Sequence, residues 1–318
     1  MDDNRGLLDL LINRIPGISA VQKIALATQF DREDRFTRLS KRDIEGILEK
    51  VPGGQDWTMD ELRAQAEQDA ALAQRSGIAW VSCVSAEYPP LLRELYDPPA
   101  LLFYRGPLPN PELPLAAVVG TRKPSGNAAI QAYDICRELG RHGVPVVSGL
   151  ALGIDAMAHR GNLEGGGATV AVLGSGLDQI YPSSNRFLAR RILENGGTLV
   201  SEYGPGVGPM KWHFPARNRI ISGLSRGTLV VEAPASSGAL ITAQFALEQG
   251  RDLWVARAGL ALPWGEGTVK LAADGGKVIA SAAAILEEWG IPINTETREN
   301  GGGNALASSL AASLNIKL

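Results

Sequence analysis

The chain predicts an α/β fold, a doubly wound and mostly parallel sheet preceded by a small helical module. Three observations carry this expectation. From Leu115 onwards short apolar runs take turns with helical stretches, and the runs lack polar alternation, as expected of parallel strands covered by helices on both faces. The first 76 residues carry leucines and isoleucines at helical spacing. Between these two parts, residues 77–114 gather prolines. Each proline removes a donor and restricts its predecessor, so this stretch reads as an extended connector that holds the domain boundary.

In chain order, Leu7, Leu8, Leu10, Leu11 and Ile12 start a helix that leads to Ile15-Pro16-Gly17-Ile18-Ser19, and a second helix follows through Ile24, Ala25 and Phe30. The pattern resembles a helix-hairpin-helix, whose turn can offer N–H groups to a phosphate, with Ser19 at the place of the usual second glycine. Many such turns only pack helices. Two short helices are expected around 41–49 and 60–75, and a strand at 78–83. In the α/β domain, 115–290, strands are expected at 116–119, 144–147, 169–173, 198–200, 228–231 and 253–256. The helices between them are expected at 128–141, 154–163, 186–194, 217–224 and 240–249. Residues 291–318, with Asn300-Gly301-Gly302-Gly303-Asn304, read as a flexible tail.

With 318 residues and 45% hydrophobic content, the chain can bury one large core and a smaller one. No apolar run approaches the roughly 20 residues of a membrane helix, and the start, Met1-Asp2-Asp3-Asn4-Arg5, lacks a signal peptide's order. A cytoplasmic protein without a membrane partner is expected. Cys83 and Cys136 each lie among apolar neighbours and read as buried free thiols. A net charge of -3 excludes a basic coat. Any nucleic-acid site must then be a local patch.

In a doubly wound sheet the ligand site lies at the carboxyl ends of the strands. Four loops there are rich in glycine and hydroxyls: Gly120-Thr121-Arg122-Lys123-Pro124, Ser148-Gly149-Leu150-Ala151, Gly174-Ser175-Gly176-Leu177-Asp178, and 232–238, which ends in Ser237-Gly238. Glycine allows close backbone approach, and N–H groups and hydroxyls bind phosphate oxygens. The stretch Lys211-Trp212-His213-Phe214-Pro215-Ala216-Arg217-Asn218-Arg219 adds charge and a flat ring near an expected helix start. Cations in a first helical turn oppose the helix dipole and call for an anion nearby. That anion is either Glu202 or Glu232 within the domain, or a phosphate chain with Phe214 against a base.

Other chemistries lack their residues. Gly174-Ser175-Gly176 has no third glycine opening a helix, and Gly275-Gly276-Lys277 lacks the Walker spacing, so neither a nicotinamide cofactor nor an ATPase is expected. His142, His159 and His213 are scattered, which argues against a metal. Asp155 and His159 fall four apart and are expected to pair, either for acid/base work or, more commonly, to pin a helix start beneath the Ser148-Gly149 loop. No Gly-x-Ser-x-Gly elbow occurs.

These residues resemble the DNA processing protein A family, also called Smf, known for binding single-stranded DNA and loading the RecA recombinase onto it. The resemblance rests on Val119-Gly120-Thr121-Arg122, Ser148-Gly149-Leu150-Ala151 with Gly153-Ile154-Asp155 and Ala158-His159, and Leu173-Gly174-Ser175-Gly176 with Tyr181-Pro182 and Asn185. It continues through Ser201-Glu202-Tyr203, Phe214-Pro215-Ala216-Arg217-Asn218-Arg219-Ile220-Ile221, Val231-Glu232-Ala233 and Ser237-Gly238-Ala239-Leu240. It implies an extended Rossmann-like domain that dimerises, with no cofactor and no established catalytic step. By position, it implies that Arg122, Lys211, Arg217 and Asn218 meet phosphates, that Ser148, Gly149, Gly174 and Ser175 give backbone or hydroxyl contacts, and that Phe214 stacks on a base. Ser237 and Gly238 join them on the rim, while Asp155, His159, Asn185, Glu202, Arg219 and Glu232 are expected in supporting roles. The family often continues into a winged-helix-like domain, whereas the tail at 291–318 is expected to hold a flexible linker and at most a short helix. A second reading is a phosphoribohydrolase-type enzyme on a similar sheet, although Ala235-Ser236-Ser237-Gly238-Ala239 stands where its Pro-Gly-Gly-x-Gly-Thr loop belongs.

Overall fold

The computed structural model describes residues 3–48 and 56–293. Five helices come first: α1 (Asp3–Arg14), α2 (Ala20–Gln29), α3 (Glu33–Phe36), α4 (Lys41–Leu48) and α5 (Met59–Arg75). Local chemistry sets their starts. Ser19 caps α2 and Thr58 caps α5, each in a capping box with a side chain three residues on, Gln22 and Glu61. Gly17 supplies the left-handed φ of +76° that turns α1 into α2. Leu8, Leu11, Leu26, Phe36, Ile44 and Leu62 fill the module's core, and Arg14 ties α1 to α5 through both oxygens of Asp69.

The stretch 77–114 departs from the extended connector read in the sequence. It contributes β1 (Ala79–Ser82), α6 (Pro90–Arg93) and β2 (Leu101–Arg105), and both strands join the main sheet as antiparallel neighbours. The prolines fall between the strands rather than within them, so the ladder loses no donor. Tyr88 donates its hydroxyl to the Pro99 carbonyl at 2.8 Å and closes the loop between them.

From there strand and helix alternate: β3 (Ala116–Val119), α7 (Gly126–Arg141), β4 (Val146–Ser148), α8 (Ile154–Glu164), β5 (Val170–Val172), α9 (Arg186–Glu194), β6 (Thr198–Ser201), α10 (His213–Gly223), β7 (Gly227–Val230), α11 (Gly238–Glu248) and β8 (Asp252–Ala256). Then come α12 (Glu266–Ala273), β9 (Lys277–Ile279) and α13 (Ala283–Glu288), none of which the sequence pattern announced. The strand order is β1-β2-β6-β5-β4-β3-β7-β8-β9, parallel from β6 to β9. The order reverses at β3, which has β4 on one side and β7 on the other.

Pleating divides the strands between two apolar layers. Ala116 and Val118 face α7, α8 and α13, whereas Ala117 and Val119 face α10 and α11. A third cluster runs from Leu188 and Ile192 on α9 through Leu199, Phe103, Leu101 and Ile78 into the N-terminal core. The helical module is thus packed onto the sheet. Cys83 and Cys136 are buried free thiols, as expected, and burial raises both pKa values. Among the described residues no helix is long and apolar enough to cross a membrane. Residues 294–318, most of the expected tail, lie outside the described residues.

Candidate nucleic-acid interface

Helix α10 begins at His213, four residues earlier than the pattern of Ile220, Ile221 and Leu224 suggested. Pro215 therefore stands at the third helical position, where its missing N–H still has no carbonyl to serve. The shift has a consequence for every residue of the stretch. Phe214 lies in the first turn, half-buried, and Arg217 moves into the second turn and points inward, only 5% exposed. His213 anchors the start, with Nδ1 donating to the Gly174 carbonyl at 3.1 Å and its ring stacked 3.8 Å from that of Tyr203.

Arg217 holds the loop after β4. It donates to the carbonyls of Gly149 (2.8 Å) and Val172, and to Asn218 Oδ1 at 3.1 Å. A Cβ on Gly149 would stand 2.3 Å from the guanidinium and push it from this position, so glycine is what lets the two approach. Burial pushes the Arg217 pKa down to about 10, with Asp155 opposing and Arg122 adding to the fall. Asp155 accepts the N–H groups of Gly149 (3.1 Å) and Ala151 (3.4 Å), and burial raises its pKa against the pull of Arg217. Both polar ends of Gly149 are thereby used within the chain. Asn185 donates to the carbonyls of Leu150 (2.9 Å) and Ala151 (3.2 Å). This clamps Leu150, a non-glycine residue at φ +56°, in a conformation that costs about 1–3 kcal/mol.

Several side chains expected at the rim are instead part of its foundation. Ser148 donates its hydroxyl to the Val118 carbonyl and Ser175 to that of Gln179, and both residues are buried. They shape the loops and offer no hydroxyl outward. Asp155 and His159 do not pair: His159 Nδ1 bonds to Thr169 Oγ1 at 2.7 Å, and that hydroxyl donates to the Val146 carbonyl. His159 Nδ1 is accordingly the donor. Arg219 is gripped by both oxygens of Glu202 at 2.8 and 2.7 Å, so the internal partner left open by the sequence is the right one for this residue. Glu232, fully buried, accepts the N–H and hydroxyl of Ser125 and fastens β7 to the start of α7. Both carboxylates named in the sequence as internal anions are thus engaged, Glu202 by Arg219 and Glu232 by Ser125. Ser237 caps α11, and Asn218 donates to the Gly238 carbonyl at 3.1 Å, joining α10 to that cap.

What remains open to solvent is compact. Arg122, Gly149, Ala151, Leu152, Tyr181, Pro182, Phe214 and Arg217 line a cavity of about 60 Å³ above the carboxyl ends of the strands. The Arg122 guanidinium sits 6.0 Å from the Phe214 ring centre, within cation–π reach, and the Tyr181 ring is 5.4 Å from the same ring. Gly174 admits Phe214, since a Cβ there would press to 3.2 Å against the ring. Among the described residues no carboxylate pairs with Arg122 or Lys211. Sequence reasoning did not single out Tyr181, which is 47% exposed, or Trp212, which is 68% exposed beside Lys211. The signal for Trp212 was present as an aromatic directly after Lys211, whereas Tyr181 has no basic residue nearer in the chain than Arg186.

Residues 79–290 match the family model described as DNA recombination-mediator protein A. The chain is 44% identical to the DNA processing protein DprA of Streptococcus pneumoniae over 202 residues, 64% of this chain and 71% of that protein. It is 41% identical to DprA of Bacillus subtilis over 224 residues, 69% of this chain and 73% of that one. In three dimensions it resembles the X-ray structure of the S. pneumoniae protein at a TM-score of 0.74 and 34% identity, covering 91% of this chain and 99% of that one. It also resembles Helicobacter pylori DprA, whose structure is described in terms of its single-stranded DNA binding mode, at a TM-score of 0.59 and 27% identity, covering 67% of this chain and 95% of that one. The chain belongs to the DNA recombination-mediator protein A family.

Proposed function

We propose that this protein binds single-stranded DNA at the strand-end rim, protects it as a homodimer, and hands it to RecA in homologous recombination and the uptake of DNA. The observation that carries this reading is the Arg122 guanidinium over the Phe214 ring, with no carboxylate partner among the described residues, and the exposed Lys211 three residues before that ring in the chain. Unpaired cations next to an accessible aromatic face are what a phosphate chain with unstacked bases requires. A duplex keeps its bases stacked and cannot offer one to the ring. The acidic whole, with a net charge of -3, confines the attraction to this edge. Exposed Leu262, Trp264 and Val269, on and just before α12, offer an apolar surface to a second copy. The protein would act in the cytoplasm, without a cofactor.

The test is anisotropy of labelled oligothymidylate with the wild type, Arg122→Ala and Lys211→Ala, at two salt concentrations and with duplex competitor. Binding that prefers single strands and weakens in both variants is expected. Binding indifferent to both substitutions removes the rim as the site. Mediation is read separately, as faster RecA assembly on strands already coated by single-strand-binding protein, and self-association by light scattering.

A further inference from the structure

We infer that a strand held at the Arg122–Phe214 cavity continues onto α9, where Phe187 stacks on a further base and Arg186 and Arg190 meet its phosphates. This rests on the reading of the rim as the single-strand site.

Phe187 is 62% exposed, an aromatic ring in the first turn of a helix that has its own apolar face. That face consists of Leu188, Ala189 and Ile192, all buried. The fold makes no use of Phe187. Among the described residues its ring is paired only with the Arg190 guanidinium, 5.2 Å from the ring centre. This is the same combination that Arg122 and Phe214 make at the cavity.

The two combinations are joined by structure. Tyr181 and Pro182 line the cavity; the Ser183–Asn185 turn follows directly, and α9 starts at Arg186. Asn185 is buried and bonded to the carbonyl of Ala151, itself a cavity-lining residue. The first turn of α9 is therefore held against the cavity wall. Aromatic and basic residues thus recur from the cavity to the adjoining helix: Phe214 with Arg122 and Tyr181, and, six residues after Tyr181 in the chain, Phe187 with Arg190 and its neighbour Arg186.

The chemistry of the surface favours a nucleic acid over a protein. Phe187 is flanked by exposed guanidinium groups rather than by apolar neighbours, so it does not form part of a broad apolar patch. Arg190 also lies 3.3 Å from Glu194, with both side chains largely exposed. Such a surface pair is weak, and a phosphate can replace the carboxylate as its partner.

Calorimetry or competition anisotropy with oligothymidylates lengthened one nucleotide at a time tests this. The proteins are the wild type, Phe187→Ala, Phe187→Trp, Arg190→Ala and Arg122→Ala, each checked for an unchanged Tm. The shortest oligonucleotide that binds should bind the wild type and Phe187→Ala alike. Beyond a certain length the wild type should gain affinity. Phe187→Ala should forfeit at least about fivefold of that gain, the low end for a stacked base, with Phe187→Trp restoring it and Arg190→Ala reducing it. Equal affinity of Phe187→Ala and wild type at every length, with Arg122→Ala weak throughout, leaves the cavity in place and overturns the path over α9. Arg122→Ala without effect at any length overturns the reading of the rim, and this inference with it.

Discussion

Arg217 gives its guanidinium to the carbonyls of Gly149 and Val172, and burial lowers its pKa only to about 10, so it stays charged at neutral pH with Asp155 nearby. Removing one member of such a buried arrangement leaves the other charge and two carbonyls uncompensated. Arg217→Met should cost about 3–5 kcal/mol in urea unfolding, whereas Arg122→Ala, at an exposed position, should change stability by no more than about 0.5 kcal/mol. The two arginines share a cavity wall and separate in this measurement. His159 gives a second prediction. Burial, with Arg217 adding to it, pushes its pKa down from 6.5 to about 3, so folding holds the ring neutral. A group with a depressed native pKa contributes stability that is present above 6.5 and is lost as pH falls towards 3. Asp9 works oppositely: burial raises its pKa to about 6, so its contribution is present below 3.8 and is lost as pH rises through about 6. The difference between wild type and His159→Gln isolates the first term. In that window the wild type should lose up to about 1.4 kcal/mol per pH unit relative to the variant. Parallel pH profiles for the two proteins would mean that His159 is solvated in the native state.

At the scale of elements, α10 decides which side chains reach the surface. Starting at His213, it turns Phe214 to the cavity and Arg217 to the core. Phe214→Ala should leave the fold intact and weaken single-strand binding by about 1–3 kcal/mol if the ring stacks on a base; unchanged affinity in the folded variant would end that assignment. The core strands were legible because a buried parallel strand is a continuous apolar run, and β3, β6, β7 and β8 fall within a residue or two of their expected places. Strand β2 was hidden behind Pro98-Pro99, and β9 has only three residues, of which Lys277 and Val278 are exposed. The rim loops were legible as a group, since all four sit at the carboxyl ends of strands. The direction of each side chain was not. A serine at a strand end looks the same in sequence whether it faces solvent or, like Ser148, donates to the neighbouring strand's carbonyl. Likewise an arginine one turn into a helix faces in or out according to where the helix starts, and Pro215 permitted either start.

For the whole molecule, 34 acidic residues outnumber 31 lysines and arginines, so at long range the protein repels a polyanion. On the proposed reading attraction sets in close to the rim, where among the described residues no carboxylate pairs with Arg122 or Lys211. Salt acts on these two contributions in opposite directions. Screening weakens the general repulsion over a Debye length of about 8 Å at physiological ionic strength, while counterion release makes each neutralised phosphate cost about 0.7 log units of affinity per log unit of salt. Release dominates once phosphates are in contact, because it scales with the number of ion pairs formed and not with net charge. Affinity for oligothymidylate should therefore fall linearly on a log–log plot, and Arg122→Ala and Lys211→Ala should each reduce the slope by about 0.7. Phe214→Ala, which removes stacking and no charge, should lower affinity at every salt concentration and leave the slope as it is. The comparison separates the two kinds of contact: equal slopes in all four proteins would mean that the phosphates are met elsewhere on the surface.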